Sequence, residues 1–135
     1  MLEMPIGNGE AILLVEDDQA IMEIVREMLE ELRYRVLVAG TPGDAIRMTE
    51  TIVKDIHLLV TDVMMPEMNG RDLSARIRAL KPGIKCLLIS GYTSKDITRQ
   101  GVLLDPGTHF IQKPFSIKEL AAKVRDVLDD DKWSS

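Results

Sequence analysis

Glu16, Asp17 and Asp18 stand in a row directly behind the aliphatic run AILLV (11–15). Three more polar groups hold comparable positions: Asp62 after HLLVT (57–61), Ser90 at the end of KCLLIS (85–90) and Lys113 after HFIQ (109–112). Carboxylates gathered at one place are costly unless a cation shares them. A few hard oxygen ligands with room for water suit Mg²⁺. An ammonium and a hydroxyl beside such an ion could bind the oxygens of a phosphoryl group, whose transfer depends on positioning and charge neutralisation. A carboxylate in that site can act as the nucleophile and form an aspartyl-phosphate. Asp62 is the candidate nucleophile, because it stands alone after the middle run. Register separates the three neighbours. Glu16 and Asp17 leave the strand that ends at Val15, whereas Asp18 is placed as the N-cap of the helix whose apolar stripe begins at Ile21. Taken singly, each group has a plainer reading: a surface Asp after a strand, a turn Ser, a solvated Lys. The chemistry exists only if a fold brings them to one crevice.

The elements that must do so are legible as periodicities. The four runs named above, with RVLVA (35–39), do not alternate with polar residues, which predicts strands buried on both faces of a parallel sheet. Helical patterns separate them. In 19–33 the residues Ile21, Ile24, Val25, Met28, Leu29 and Leu32 form a stripe; 42–54 opens on Thr41-Pro42, a cap followed by Pro at the first helical position. Segment 70–80 carries Leu73, Ile77 and Leu80 on one face. Segment 94–101 is short and polar, with Ile97 as its anchor. Segment 117–129 opens on Ser116 and Glu119, a capping-box spacing, and is expected to bury Leu120, Val124, Val127 and Leu128. A β-α order repeated five times predicts an α/β fold with helices on both faces and a ligand site at the carboxyl ends of the strands.

The 135 residues fit one domain, and the 45% hydrophobic and 29% charged composition is that of an ordinary globular protein. No apolar run approaches the roughly 20 residues of a membrane helix. The N-terminus lacks a secretory pattern. The single cysteine, Cys86, excludes an internal disulfide, fits the cytoplasm and is expected to be an inert buried residue. A net charge of −5 without a Lys/Arg cluster argues against nucleic-acid binding. His57 and His109 fall at strand starts, on the opposite rim, and neither has a metal-ligand spacing. Trp133 reads as a tail residue.

On LLVEDD, the stretch DVMMPEMNG from Asp62 to Gly70, LLISGYT and FIQKPF, the chain resembles the receiver domains of two-component response regulators. The resemblance implies a flavodoxin-like, doubly wound five-stranded parallel sheet in the order 2-1-3-4-5 with five helices. It implies a receiver spanning 10–129, with a flexible lead at 1–9 and a tail at 130–135. Asp62 would accept a phosphoryl group from a histidine kinase or a histidine phosphotransfer protein. Mg²⁺ would be held by Asp17, Asp62 and the Met64 carbonyl, with Glu16 acting through a water. Lys113, with an expected cis bond to Pro114, and Ser90 would bind the phosphoryl oxygens. Ser90 and Phe110 would form the switch, biasing a surface for a downstream protein over 94–129. Phe110 stands where many relatives have Tyr, so it reads equally as a packing switch or as plain core. Met64 and Tyr92 would tune dephosphorylation, and this pair offers few groups to orient a water, so slow self-dephosphorylation is expected. GNGEAILLVEDD, SGYT and FIQKPFS are most similar to receivers attached to hybrid sensor kinases.

Three other functions compete. A flavodoxin-like electron carrier would need a phosphate loop after the first strand, where EDD would repel the FMN phosphate. A Mg²⁺-dependent phosphatase would need a second Asp two residues after the nucleophile, where this chain has Met64. A degenerate receiver used only for protein binding would not need every acid, hydroxyl and lysine position filled.

Overall fold

The computed structural model describes residues 4–52, 55–91 and 108–129. Its strands are β1 (Ala11–Val15), β2 (Arg35–Ala39), β3 (Leu58–Asp62), β4 (Lys85–Ser90) and β5 (Thr108–Gln112). They form one sheet in the order β2-β1-β3-β4-β5, with every pairing parallel. Four helices are described: α1 (Gln19–Glu31), α2 (Pro42–Thr51), α3 (Gly70–Leu80) and α4 (Ile117–Leu128). The helix expected at 94–101 lies outside the described residues, as do Tyr92 and Trp133.

Alternate residues of each strand feed two cores, which is why the strand sequences read as unbroken apolar runs. Ile12, Leu14, Leu58, Val60, Leu87 and Ile89 pack against Val25 and Leu29 of α1 and Leu120 and Val124 of α4. Leu13, Val15, Leu59, Cys86 and Leu88 pack against Ala45 of α2 and Leu73 and Ile77 of α3. Cys86, the one cysteine of the chain, is buried. The edge strand β2 departs from the continuous burial expected of it: Arg35 and Val38 are exposed, because it has a neighbour on one side only.

The helix ends follow the local chemistry. Thr41 accepts from Asp44 N–H at 3.0 Å, with Pro42 opening α2. Asn69 accepts from Asp72 N–H at 2.8 Å at the head of α3. Ser116 and Glu119 form the reciprocal capping box of α4. Within α1 the buried face runs through Met22, Val25 and Leu29, and Ile24 is 54% exposed. Five of the six expected stripe residues, Ile21, Val25, Met28, Leu29 and Leu32, join this core; Ile24 does not, and Met22 is buried beside them. Leu80, at the last position of α3, is 42% exposed, and Leu128 is half-buried where α4 ends.

The leading segment is tied to the turn between α1 and β2. Gly7 N–H donates to Leu32 O at 2.7 Å and Gly9 N–H to Arg33 O at 3.1 Å. No helix among the described residues is long and apolar enough to cross a membrane.

Candidate functional site

Strand order reverses between β1 and β3, and in such sheets the crevice opens at the carboxyl ends of those two strands. Glu16 and Asp17 follow β1, and Asp62 is the last residue of β3. One carboxylate oxygen from each of the three lies within 4.8 Å of the other two. Glu16 is 2% exposed and Asp62 8%, while Asp17 faces solvent. The chain leaving β1 is held in place by Glu16 N–H donating to Ala39 O at 3.2 Å.

Asp18 turns away to a different task. Its Oδ1 accepts from Ala20 N–H at 3.0 Å and Ile21 N–H at 3.2 Å, so it is the N-cap of α1. Its own N–H donates to Glu16 Oε2 at 3.2 Å.

Lys113 reaches in from beyond β5. Its Nζ lies 3.4 Å from Asp62 Oδ1 and 3.5 Å from Oδ2. A backbone hydrogen bond positions it. Lys113 N–H donates to Ser90 O at 2.7 Å, which extends the β4–β5 pairing past Gln112. The Lys113–Pro114 bond is cis. Ser90 is buried at the end of β4, one residue beyond the Asp62–Ile89 register pair. All four groups singled out at the strand ends therefore share one rim.

Burial pushes the Glu16 carboxyl up to about 7; the Asp18 N–H opposes this, and the negative charge of Asp62 adds to it. Three hard oxygen donors whose charges oppose one another are the donor set a divalent cation such as Mg²⁺ satisfies. The single amine at Asp62 does not balance three carboxylates, so the residues present fit such an ion.

The loop after β3 closes under that strand. Gly70 N–H donates to Val63 O at 2.8 Å, and a Cβ on Gly70 would lie 2.3 Å from the backbone oxygen of Asp62. Glycine is thus required there by close approach. This role was not assigned from sequence, although Asp62 and Gly70 at opposite ends of DVMMPEMNG carried the signal. Met64 is exposed in this loop, and Met65 and Met68 pack against the core below it. Phe110 is half-buried, pairs in register with Leu88 and packs against the α2–α3 core. His57 Nδ1 accepts from Ala11 N–H at 3.0 Å on the opposite rim, where it fastens the entry of β3 to β1.

The profile of a family described as the response regulator receiver domain matches residues 12–125. The sensor kinase CckA of Brucella abortus is 32% identical over 124 residues, which cover 92% of this chain and 13% of that protein. An uncharacterized transcriptional regulatory protein of Bacillus subtilis, YbdJ, is 31% identical over 90% of this chain and 52% of its own length. The chain thus spans about half or less of these two relatives. Among solved structures, a CheY-like receiver domain protein of Methanospirillum hungatei superposes with a TM-score of 0.76 at 28% identity, covering 95% of this chain and 100% of that one. The receiver domain of the hybrid histidine kinase CckA does so at 0.74 and 31%, covering 88% and 99%.

Proposed function

This chain belongs to the response regulator receiver family, and from that premise we propose that Asp62 is its phosphoryl acceptor, loaded from the phosphohistidine of a histidine kinase or histidine phosphotransfer protein. The observation that carries this reading is the convergence of Glu16, Asp17 and Asp62 with Lys113 Nζ at the Asp62 carboxylate. A carboxylate oxygen of Asp62 attacks phosphorus, the P–N bond to the donor imidazole breaks, and the electron pair leaves with the imidazole. Lys113, already at the acceptor, takes a phosphoryl oxygen as charge builds. Ser90 supplies a hydroxyl to another. Asp17, Asp62 and the Met64 carbonyl would hold Mg²⁺, with Glu16 bracing the set, and the ion would supply charge neutralisation. The domain catalyses only its own phosphorylation and dephosphorylation.

Movement of Ser90 toward the phosphoryl group would be relayed through Phe110, which lies in the strand next to it and packs on the α2–α3 core. The output surface, over 94–129, would meet a downstream protein; its described part is β5 and α4. Met64 and Tyr92 would set the hydrolysis rate, and the exposed apolar Met64 side chain favours a long-lived phosphoryl group.

Incubation with acetyl phosphate and Mg²⁺, followed by intact mass, tests the central claim. A single phosphoryl adduct is expected, absent in Asp62→Asn and in Asp17→Asn but retained in Asp18→Asn. An adduct of equal yield in Asp62→Asn would exclude this acceptor. Met64→Asn is expected to hasten loss of the adduct.

A further inference from the structure

At the pole remote from Asp62, the segment ahead of β1 and the last turn of α4 meet around one ring. Residues 7–10 run along the turn that joins α1 to β2. Besides the bonds of Gly7 and Gly9 to Leu32 and Arg33, Arg35 N–H donates to Glu10 O at 3.0 Å and Arg35 Nε to Gly9 O at 2.9 Å. Beneath this strap lies Tyr34, 4% exposed, and a Cβ on Gly7 would stand 2.4 Å from its ring. The strap ends in an ion pair. Arg125 Nη1 donates to Glu10 Oε2 at 2.7 Å, and the Nη2 of the same guanidinium donates to Asp129 Oδ1 at 2.7 Å. Asp129 is the C-cap of α4. One guanidinium therefore joins the residue that leads into β1 to the residue that closes the last helix.

Two features make the shut arrangement costly. The Tyr34 hydroxyl is buried and, although the Arg125 charge acts on it, meets no hydrogen-bond partner of good geometry among the described residues. A buried hydroxyl left unpaired loses its hydration with nothing in return. Arg33, whose carbonyl accepts from Gly9 N–H, has a φ of 73°, in the left-handed region that a residue with a Cβ enters at a cost. Lifting the strap would return the hydroxyl to water and release Arg33. The Glu10–Arg125 pair and the backbone bonds of the strap oppose both changes.

We propose that residues 7–10 are a strap over Tyr34, latched by Arg125, and that the strap and the last turn of α4 open and shut as one unit while the sheet stays folded. Openings of this kind occur below the free energy of global unfolding. A partner that draws the strap off Tyr34 thereby loosens the end of α4. One that grips the end of α4 frees the strap, because coupling between two sites is reciprocal. The device is separate from the acceptor chemistry and stands whether or not Asp62 is phosphorylated.

Amide hydrogen exchange of the full chain in low urea, followed residue by residue by NMR, is the test. The Gly7, Gly9 and Asp129 amides are bonded to Leu32 O, Arg33 O and Arg125 O. They should report one opening, with one free energy and one shallow urea dependence, below that of the β1 and β3 amides. Glu10→Gln should speed exchange at all three about fivefold, as loss of an ion pair that keeps some solvent does. Asp129→Asn should speed it at Gly7 and Gly9 about twofold, through the guanidinium. Tyr34→Phe has the opposite sign: it removes the unpaired hydroxyl and should slow all three by about fivefold or more. Thr41→Ala is the control, because it uncaps α2 and weakens the whole fold; it should leave the three amides unchanged. Exchange at Asp129 that differs in free energy or urea dependence from that at Gly7 and Gly9 would overturn the proposal. A Thr41→Ala effect on the three amides as large as that of Glu10→Gln would also overturn it, since they would then open only with the whole fold. So would faster exchange in Tyr34→Phe, which would mean that the hydroxyl helps to hold the strap shut.

Discussion

Glu10 and Glu16 bracket the same five-residue strand, and their carboxyls are shifted in opposite directions. At the lower end, burial works against the Glu10 charge, but the Asn8 N–H and the Arg125 guanidinium outweigh it and hold the carboxyl below its usual range. Arg125 Nη1 lies 2.7 Å from Glu10 Oε2, and its Nη2 lies 2.7 Å from Asp129 Oδ1. At the upper end, burial and Asp62 lift Glu16 to about 7. One pole balances its charges within the chain. The other gathers three carboxylates beside one ammonium, a donor set that fits a divalent cation. Crowding of this kind is what functional sites share, and it agrees with the role proposed for Asp62.

Glycine sharpens the contrast most strongly. At the upper pole a Cβ on Gly70 would meet the Asp62 backbone oxygen at 2.3 Å, and that oxygen cannot move without moving β3. At the lower pole a Cβ on Gly7 would meet the Tyr34 ring at 2.4 Å, a side chain rather than backbone. Gly70→Ala is expected to cost about 3 kcal/mol, the upper end for overpacking, and Gly7→Ala about 1 kcal/mol. Urea unfolding measures both; equal losses would mean that the two contacts are equally rigid.

The pH dependence of the metal-free protein should separate the poles next. A carboxyl raised from 4.5 to about 7 binds its proton more tightly in the folded state. Its contribution is therefore complete below the unfolded value and is lost as pH rises through about 7. In chelator, thermal stability should fall by about 2 kcal/mol between pH 5 and pH 8, and Glu16→Gln should flatten that slope. Glu10 has the opposite sign. Its folded-state value is lowered from 4.5, so its contribution is present above the unfolded value and is lost as pH falls through the lowered one. Glu10→Gln should cost about 1 kcal/mol at neutral pH, as an ion pair that keeps some solvent does, and the cost should vanish in acid. A neutral-pH loss in Glu16→Gln as large as in Glu10→Gln would erase the distinction between the poles.

The two poles also differ in how much of them could be read from sequence. The upper site was legible because each of its residues sits next to a strand, and strand ends in a parallel sheet share one rim. Glu16, Asp17, Asp62, Ser90 and Lys113 needed only their registers. The lower pole was not, because its bonds join distant segments: Glu10 and Arg125 are 115 residues apart, and no local pattern marks either. The same limit applies to helix faces. The spacing in α1 admitted a stripe through Ile24, and only the sheet beneath it selects Met22 instead. Edge exposure of β2 likewise depends on strand order, which a run such as RVLVA does not encode.

Asp18 supplies the finest test, since it sits among the acids of the upper pole yet is bonded like a residue of the lower one. Its Oδ1 accepts two backbone N–H groups, and it gives Glu16 an N–H rather than a competing charge. Asp18→Ala removes the cap and should cost about 1 kcal/mol. Asp18→Asn keeps an oxygen for both bonds and loses only the interaction of the charge with the helix dipole, a few tenths of a kcal/mol. It should also leave the pH slope assigned to Glu16 unchanged, because the groups that oppose Glu16 are Asp62 and Asp17. A shallower slope in Asp18→Asn would mean that the Asp18 charge reaches the buried carboxyl. The crowded pole would then hold four acids, with the boundary between acidic cluster and helix cap one residue further along the chain.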